Sequence, residues 1–522
     1  MPISREEARA RGWARTAAFR GNAQKLGYRL APTIGSSIVR TELEECESLF
    51  VVAEKQPYLV DGCANKVLRI SGKDEAFAAF LAGRYGLLRS EGVTRQVVDY
   101  LVAYALNEAP VRPLKRWSHF DKDAGALYVS RYDGTAWKLD GSAPEIVPNG
   151  QGALFLDDEG GIPCPEAIPA PGGGLFERLV DDVAFTQETS AGLTPAAQRN
   201  ALAIWLLALG FADLFPTKPI LLVEGEKGSG KTLAIQRIQH VLTGKSTPLI
   251  VSHRPNDDFG VQILRECPAI LLDNVDSSID WLKDALASYA TCGLWRRRKL
   301  FSDMDQIDIR PTGFLAVASR NPSTLRRDDL ADRLLILRVE RRTEFRAAEA
   351  IFRELDALRP ALLGEWLWQA NRIVAQLKMP APEAGAYRMA DLSRFAYAAG
   401  PAVLGIASTE VAVFLQAAQD ERDALVLEEE PLADLLDVWL DNRTNEGREL
   451  KLAELMGELN VIAAMKLLQP YTNPKSFAAR FRNLRAALGR QFEIRARVGS
   501  GKTTLYRFRR QPEAPRAATD EA

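Results

Sequence analysis

The chain has 522 residues, 47% of them hydrophobic and 26% charged, so it buries ample core; collagen-like, stapled mini-protein and disordered classes are excluded. Its 67 basic side chains nearly cancel 68 acidic ones, and a net charge of −1 excludes a uniformly basic nucleic-acid coat while leaving local basic patches open. At roughly 150 residues per domain the length points to three or four domains.

Residues 1–48 read as a helical N-terminal arm, with charged and apolar residues alternating at helical spacing from Ser4 to Leu30 and Ser4 as N-cap. Residues 49–174 read as an α+β unit. Its strand-like runs are Phe50–Val52 and Val67–Ile70, and its helical patterns are Glu75–Tyr85 and Thr94–Leu106. A meander follows, Ala126–Val129 and Trp137–Leu139 with Asp133-Gly134 and Asp140-Gly141 as turns. The Pro/Gly-rich segment Gly160–Gly174 marks the first domain boundary.

Residues 175–340 begin helical, through Leu214, and then alternate buried β runs with helices, the pattern of an α/β domain with a largely parallel sheet. The longest apolar run, Ala201–Phe215, is shorter than the ~18 to 20 residues of a membrane span, so no membrane partner is expected. Residues 341–430 form a helical extension closed by the acidic stretch Asp420–Glu430 and Pro431. Residues 431–511 read as two or three helices followed by strands Phe492–Val498 and Thr504–Phe508, and 512–522 as a disordered tail. The N-terminus lacks an apolar stretch behind its arginines. The five cysteines form no CxxC and the three histidines lie far apart, which excludes a zinc knuckle or disulfide framework and points to a reducing cytoplasm.

The sharpest signal is Gly225-Glu226-Lys227-Gly228-Ser229-Gly230-Lys231-Thr232, a complete G-x-x-x-x-G-K-[ST], preceded by the strand Ile220–Val223 and followed by a helical pattern to Leu242. Phosphates need a concave array of backbone N–H groups; glycines let the chain curl, Lys231 supplies a point charge and Thr232 a Mg²⁺ ligand, so ATP and Mg²⁺ are the expected cofactors. Gly499–Thr503 repeats the motif's tail, but Ala496 stands at the first glycine's place and both flanks read as strands, so that segment is expected to be a hairpin turn.

Forty-two positions after Lys231, the run Ala269–Leu272 ends in Asp273, an acid expected at the edge of a strand adjacent to the loop strand, where it joins Thr232 on the metal. Asn274 follows instead of the glutamate that many ring ATPases use to orient water, and Asp276 and Glu224 are the candidate bases. A third strand, Gly313–Ala318, ends in Ser319, Arg320 and Asn321, of which Ser319 and Asn321 are candidate sensors of the γ-phosphate. Arg333 is positioned to reach a neighbouring subunit's nucleotide, the alternative being a salt bridge to Asp329 or Asp332. Between the second and third strands Trp295, Arg296, Arg297, Arg298 and Lys299 form a basic run; in a hairpin facing a ring's channel it contacts single-stranded DNA, and otherwise it is a solvated face.

These elements occur in this order within about 110 residues. With "LLVEGEKGSGKTLAIQRI", "CPAILLDNVDS", "WLKDALASYATCGLWRRRKLFSD" and "RRDDLADRLL", the chain resembles AAA+ ATPases of the superfamily-three helicase kind, particularly primase-associated helicase-like proteins of phages, plasmids and integrated elements. The Asp-Asn ending also looks like that subgroup. The likeness extends more weakly upstream to Tyr128–Trp137 and downstream to "YRMADLSRFAYAAGPAV". It implies a multidomain α/β protein with a P-loop AAA+ core, a hexameric ring and an Arg333 acting in trans. The family's usual sensor is an asparagine, and no primase signature occurs in the N-terminal part.

From Lys475 to Arg510 the chain carries eleven basic residues against one acid, Glu493. A helix bearing Arg480, Arg482 and Arg485, followed by a hairpin tipped with Lys502, looks like a winged helix that binds duplex DNA, the alternative being a basic surface for an acidic protein. The expected function is an ATP-dependent DNA helicase or translocase replicating a mobile element; the rivals are a loader acting on a protein and a nucleotide-gated DNA-binding switch.

Overall fold

Helix Pro32–Glu45 precedes a three-stranded antiparallel sheet, β1 (Leu49–Ala53), β2 (Gln56–Asp61) and β3 (Lys66–Arg69). The computed structural model describes residues 32–511 apart from 157–159, 190, 247–248, 251–267, 277–278, 292–294, 299–305, 310–312, 381–386, 388, 429 and 499–503. The expected helix Ser4–Leu30, the turn Gly499–Thr503 and the tail 512–522 lie outside the described residues.

Helices Glu75–Tyr85 and Gly92–Glu108 pack on the first sheet through Phe77, Leu81, Val97 and Leu101. Asp74 caps the first of them by accepting the Phe77 N–H, and Gly86 closes it at φ 66°, a conformation that favours glycine. Next, β4 (Leu114–Lys115) pairs in parallel with β9 (Leu154–Phe155). Between them runs a four-stranded antiparallel meander, β5 (Ser118–Asp121), β6 (Ala126–Ser130), β7 (Thr135–Leu139) and β8 (Glu145–Pro148).

The meander is not walled off by the Gly160–Gly174 segment. Its Trp117, Leu127, Val129 and Leu139 share one core with helices Pro195–Ala208 and Ala348–Leu377, and the Trp117 and Trp366 rings lie 5.1 Å apart. The segment itself is stitched across that core: the Ile162 N–H donates to the Thr243 carbonyl at 2.7 Å, and Arg359 Nη2 to the Ile162 carbonyl at 2.7 Å. Proline and glycine here give a close-packed crossing rather than a linker, because Gly173 lies against the Ala361 carbonyl where a Cβ would clash at 2.2 Å.

The strands that follow are β10 (Ile220–Gly225), β11 (Leu249–Ile250), β12 (Ala269–Asp273), β13 (Trp295–Arg298), β14 (Gln306–Ile309), β15 (Phe314–Ser319) and β16 (Leu334–Val339). Five of them make a parallel sheet in the order β11-β12-β15-β10-β16, while β13 and β14 form an antiparallel pair of their own. Both sheet faces are buried, which is why the strands read as continuous apolar runs. Leu221, Val223, Leu271, Ala316 and Ala318 enter the core on the side of helix Lys231–Thr243; Ile220, Leu222, Leu272, Leu315 and Val317 enter a second core with helix Asp280–Ala290 and Leu425.

Helices Ala390–Ala399 and Ser408–Leu427 complete this body. The C-terminal unit has three helices, Pro431–Asp441, Leu452–Met465 and Pro474–Gln491, and the antiparallel hairpin β17 (Phe492–Val498) and β18 (Thr504–Arg510). Leu450, just before the second helix, bridges Tyr506 and adds a third extended segment to the hairpin. Trp439, Leu459, Phe477, Phe481 and Phe508 fill its core.

Candidate functional site

β10 is buried along its length and delivers Gly225 against β16, where a Cβ would stand 2.2 Å from the Val339 carbonyl oxygen. The chain then turns through Gly228 (φ 85°) and Gly230 (φ 80°), the latter capping helix Lys231–Thr243. Ser229 is buried and closes the loop by donating from Oγ to the Glu226 carbonyl at 2.9 Å, while Glu226 and Lys227 are exposed. Lys231 Nζ donates to the Gly225 and Glu226 carbonyls at 2.7 and 2.8 Å. Burial pushes this ammonium below the ordinary lysine range; of the neighbouring charges Asp276 acts on it most strongly, then Arg320, then Asp273. A curled loop at the N-terminus of a 13-residue helix, with a lysine at its mouth, is an array suited to phosphate.

Thr232 Oγ1 donates to Asp273 Oδ1 at 2.8 Å. This contact is made although β12 is not the neighbour of the loop strand, as the sequence suggests, because β15 is inserted between β10 and β12. A hydroxyl and a carboxylate this close are hard oxygen donors that fit a magnesium ion retaining most of its water. Asn274 has φ 59°, and asparagine enters that left-handed region far more readily than glutamate.

Strand parity separates the remaining candidates. Ser319 follows Leu315 and Val317 onto the face away from helix Lys231–Thr243; it is 1% exposed and donates to the Val275 carbonyl at 2.7 Å. Glu224 falls on that same face, where its Oε2 accepts from Arg338 Nη1 at 2.6 Å, so it is removed from Thr232 and Asp273 and from the role of base. Arg338 also donates to Glu421 Oε1 at 2.7 Å and to Glu428 Oε1 at 2.6 Å. Burial pushes Glu224 up to about 7 against the pull of Arg338, since one guanidinium serves three carboxylates. Asp276 and Arg320 pair at the ends of β12 and β15, and Asn321 is exposed just beyond.

Two cavities flank the loop. One, of about 620 Å³, is walled by Gly228, Gly230, Leu233, Phe345, Ile351 and Leu355; the other, of about 750 Å³, by Glu224–Lys227, Arg320 and Arg338. Arg320 was named from sequence only as part of the polar end of the third strand, and Arg338 was not named at all. Only the polar end of β15 hinted at the first, and no local signal marked the second, whose partners lie 83 to 114 positions away.

Arg333 precedes β16 at the opposite end of the sheet, its carbonyl accepting from Ile220 N–H at 2.8 Å and its Nη1 donating to the Ala287 carbonyl at 3.0 Å. Asp329 pairs with Arg327 instead. Trp295, Arg296, Arg297 and Arg298 lie on β13 in register with Ile309, Asp308, Ile307 and Gln306, a hairpin pairing; Lys299 lies outside the described residues, as does Lys502.

The C-terminal arginines are less free than their count suggests, because acids from other segments meet them. Arg480 binds Glu430, Arg497 and Arg507 bind Glu449, Arg510 binds Asp437 and Asp441, and Arg490 binds Asp420 and Asp423. Lys475, Arg482 and Arg485 are exposed and make no ion pair among the described residues, Arg485 resting over the Tyr506 ring.

Residues 192–417 match the family model of the Actinomycete integrative conjugative element replication protein. The matched segment contains the whole parallel sheet and its loop, whereas the meander with Tyr128–Trp137 lies upstream of it. Among solved structures, the chain is similar to the apo structure of the NrS-1 C-terminal region (12% identity, TM-score 0.43, 92% of this chain and 99% of that chain). It is also similar to that region's A form (11% identity, TM-score 0.41, 88% and 95%). A weaker likeness is to JCV helicase with a bound thiazolopyridine acetamide (14% identity, TM-score 0.20, 47% and 72%). No curated protein matches the chain. Among the described residues no helix is long and apolar enough to cross a membrane.

Proposed function

We propose that the chain is an ATP-hydrolysing motor that moves or opens DNA during replication of a mobile element, built on an AAA+ core of the superfamily-three helicase kind and working as a hexameric ring. The observation that carries this reading is the meeting of Lys231, Thr232 and Asp273 on one face of a parallel sheet, within the segment that matches a mobile-element replication family. In it, Lys231 exchanges the loop carbonyls for the β/γ-phosphates, the helix N-terminus and loop N–H groups hold the phosphate oxygens, and the base occupies the cavity beside Leu233 and Ile351. Thr232 and Asp273 would hold Mg²⁺, which neutralises charge on the phosphoryl oxygens. The β13–β14 hairpin carries Arg296, Arg297 and Arg298 to single-stranded DNA in the ring's channel, and Lys475, Arg482 and Arg485 meet duplex phosphates in a winged-helix-like unit.

Lys231→Ala is expected to lower turnover at least about a hundredfold with the fold intact, and Asp273→Ala to abolish Mg²⁺-dependent turnover. A colorimetric phosphate assay on the purified full chain checks both, and wild-type rates in either variant remove the site assignment. DNA-stimulated ATPase together with strand displacement separates the motor from its rivals. For a loader that acts on a protein, ATPase responds to the protein and not to DNA.

A further inference from the structure

Asp276 and Arg320 meet where β12 and β15 end, beside the loop. The carboxylate is held asymmetrically. Its Oδ1 accepts the Arg320 backbone N–H at 2.6 Å, a donor fixed by the strand end, and lies 3.2 Å from the Ser319 hydroxyl oxygen, whose proton goes to the Val275 carbonyl. Among the described residues its Oδ2 takes only the Arg320 side chain, Nε at 2.7 Å. That side chain is 59% exposed and lines the open cavity shared with Gly225, Glu226 and Lys227. An ion pair so exposed is held weakly and yields to a stronger anion, while the carboxylate stays oriented by its backbone donor. The same two groups are the strongest charged neighbours of Lys231, and the residue after Asp273 is an exposed asparagine rather than a carboxylate.

We infer that Arg320 and Asp276 form a triphosphate-sensing latch, in which Arg320 leaves Asp276 Oδ2 for the terminal phosphate and thereby frees that oxygen to hold the attacking water. This rests on the ATPase reading above and names the residues that read the γ-phosphate within one subunit. In the step itself the water oxygen bonds to the γ-phosphorus as the bond from that phosphorus to the β–γ bridging oxygen breaks. The electron pair stays on ADP, and the water's proton, drawn toward Asp276 Oδ2, ends on the released phosphate. With diphosphate bound nothing draws Arg320 away, and the latch stays shut.

The test measures binding of ADP and of a non-hydrolysable ATP analogue to the full-length protein, alongside kcat and KM for ATP. Arg320→Ala should lower the preference for triphosphate over diphosphate about tenfold with ADP affinity unchanged, and Arg320→Lys should recover part of it. Asp276→Asn should keep that preference and KM while losing about a hundredfold in kcat. If Arg320→Ala retains wild-type selectivity, or Asp276→Asn retains kcat within about threefold, the pair is only a staple between strand ends and the latch is wrong. A staple would lower the melting temperature in both variants without moving selectivity. If the wild type binds neither nucleotide and Lys231→Ala changes nothing, it is the ATPase reading that fails, a result distinguishable because selectivity then has no baseline.

Discussion

Glu224 is the side chain whose surroundings depart furthest from what its place in the chain suggests. Beside a phosphate-type loop it looks like a base, yet it is turned to the far face of the sheet and shares Arg338 with Glu421 and Glu428. Its folded-state value of about 7 lies above the ordinary glutamate value, so the folded protein holds a proton there that the unfolded chain has released. Stability from this group is therefore present below about pH 4.5 and is lost as pH rises toward 7. Glu224→Gln should remove that loss, gaining on the order of 2 kcal/mol over wild type at pH 8 relative to pH 4.5, read from melting temperatures at the two pH values. Unchanged pH dependence in the variant would mean that Arg338 keeps the carboxylate ionised. At this scale the loop was legible because its chemistry is local: eight consecutive residues, Gly225 to Thr232, and a glycine conformation. Arg338 was not legible, since three carboxylates from three other segments define it.

Periodicity made the elements readable. Helix Glu75–Tyr85 has the expected limits, and the C-terminal three helices and hairpin follow the order that alternation and helical spacing indicate. The short strands β2, β5 and β8 escaped because four to six residues carry little pattern, and Pro57 and Pro148 interrupt two of them. Charge was legible in number but not in effect. Glu430 has a side chain only 7% exposed, so Arg480→Ala leaves a buried carboxylate short of its partner and should cost about 1 kcal/mol or more of stability in chemical unfolding. Arg482→Ala with Arg485→Ala should instead leave stability nearly unchanged and weaken duplex binding with a shallower salt dependence, in fluorescence anisotropy at two salt concentrations. On the β13–β14 hairpin, Arg297→Ala with Arg298→Ala should uncouple ATPase from single-stranded DNA; an unaltered response would make that basic run a solvated face.

For the whole molecule, the parallel sheet fixes how subunits would cooperate. Arg333 and the loop sit at opposite ends of β16, six residues and therefore about 20 Å apart along the strand. In the proposed ring, an arginine so placed would serve a nucleotide only in another subunit. Mixing Arg333→Ala with Lys231→Ala protein should restore measurable ATPase from two inactive preparations, at a level set by mixing statistics; verified mixed oligomers without activity would count against the ring. The meander bears on a different matter, the history such a gene permits. Because Trp117 and Leu139 lie in the same core as Trp366 and Phe211, a chain beginning after Gly174 would leave the long helix Ala348–Leu377 with a bare aromatic flank. Exchange of segments between related genes therefore ruins folding when the crossover falls in the glycine-rich stretch, where the sequence looks most like a seam.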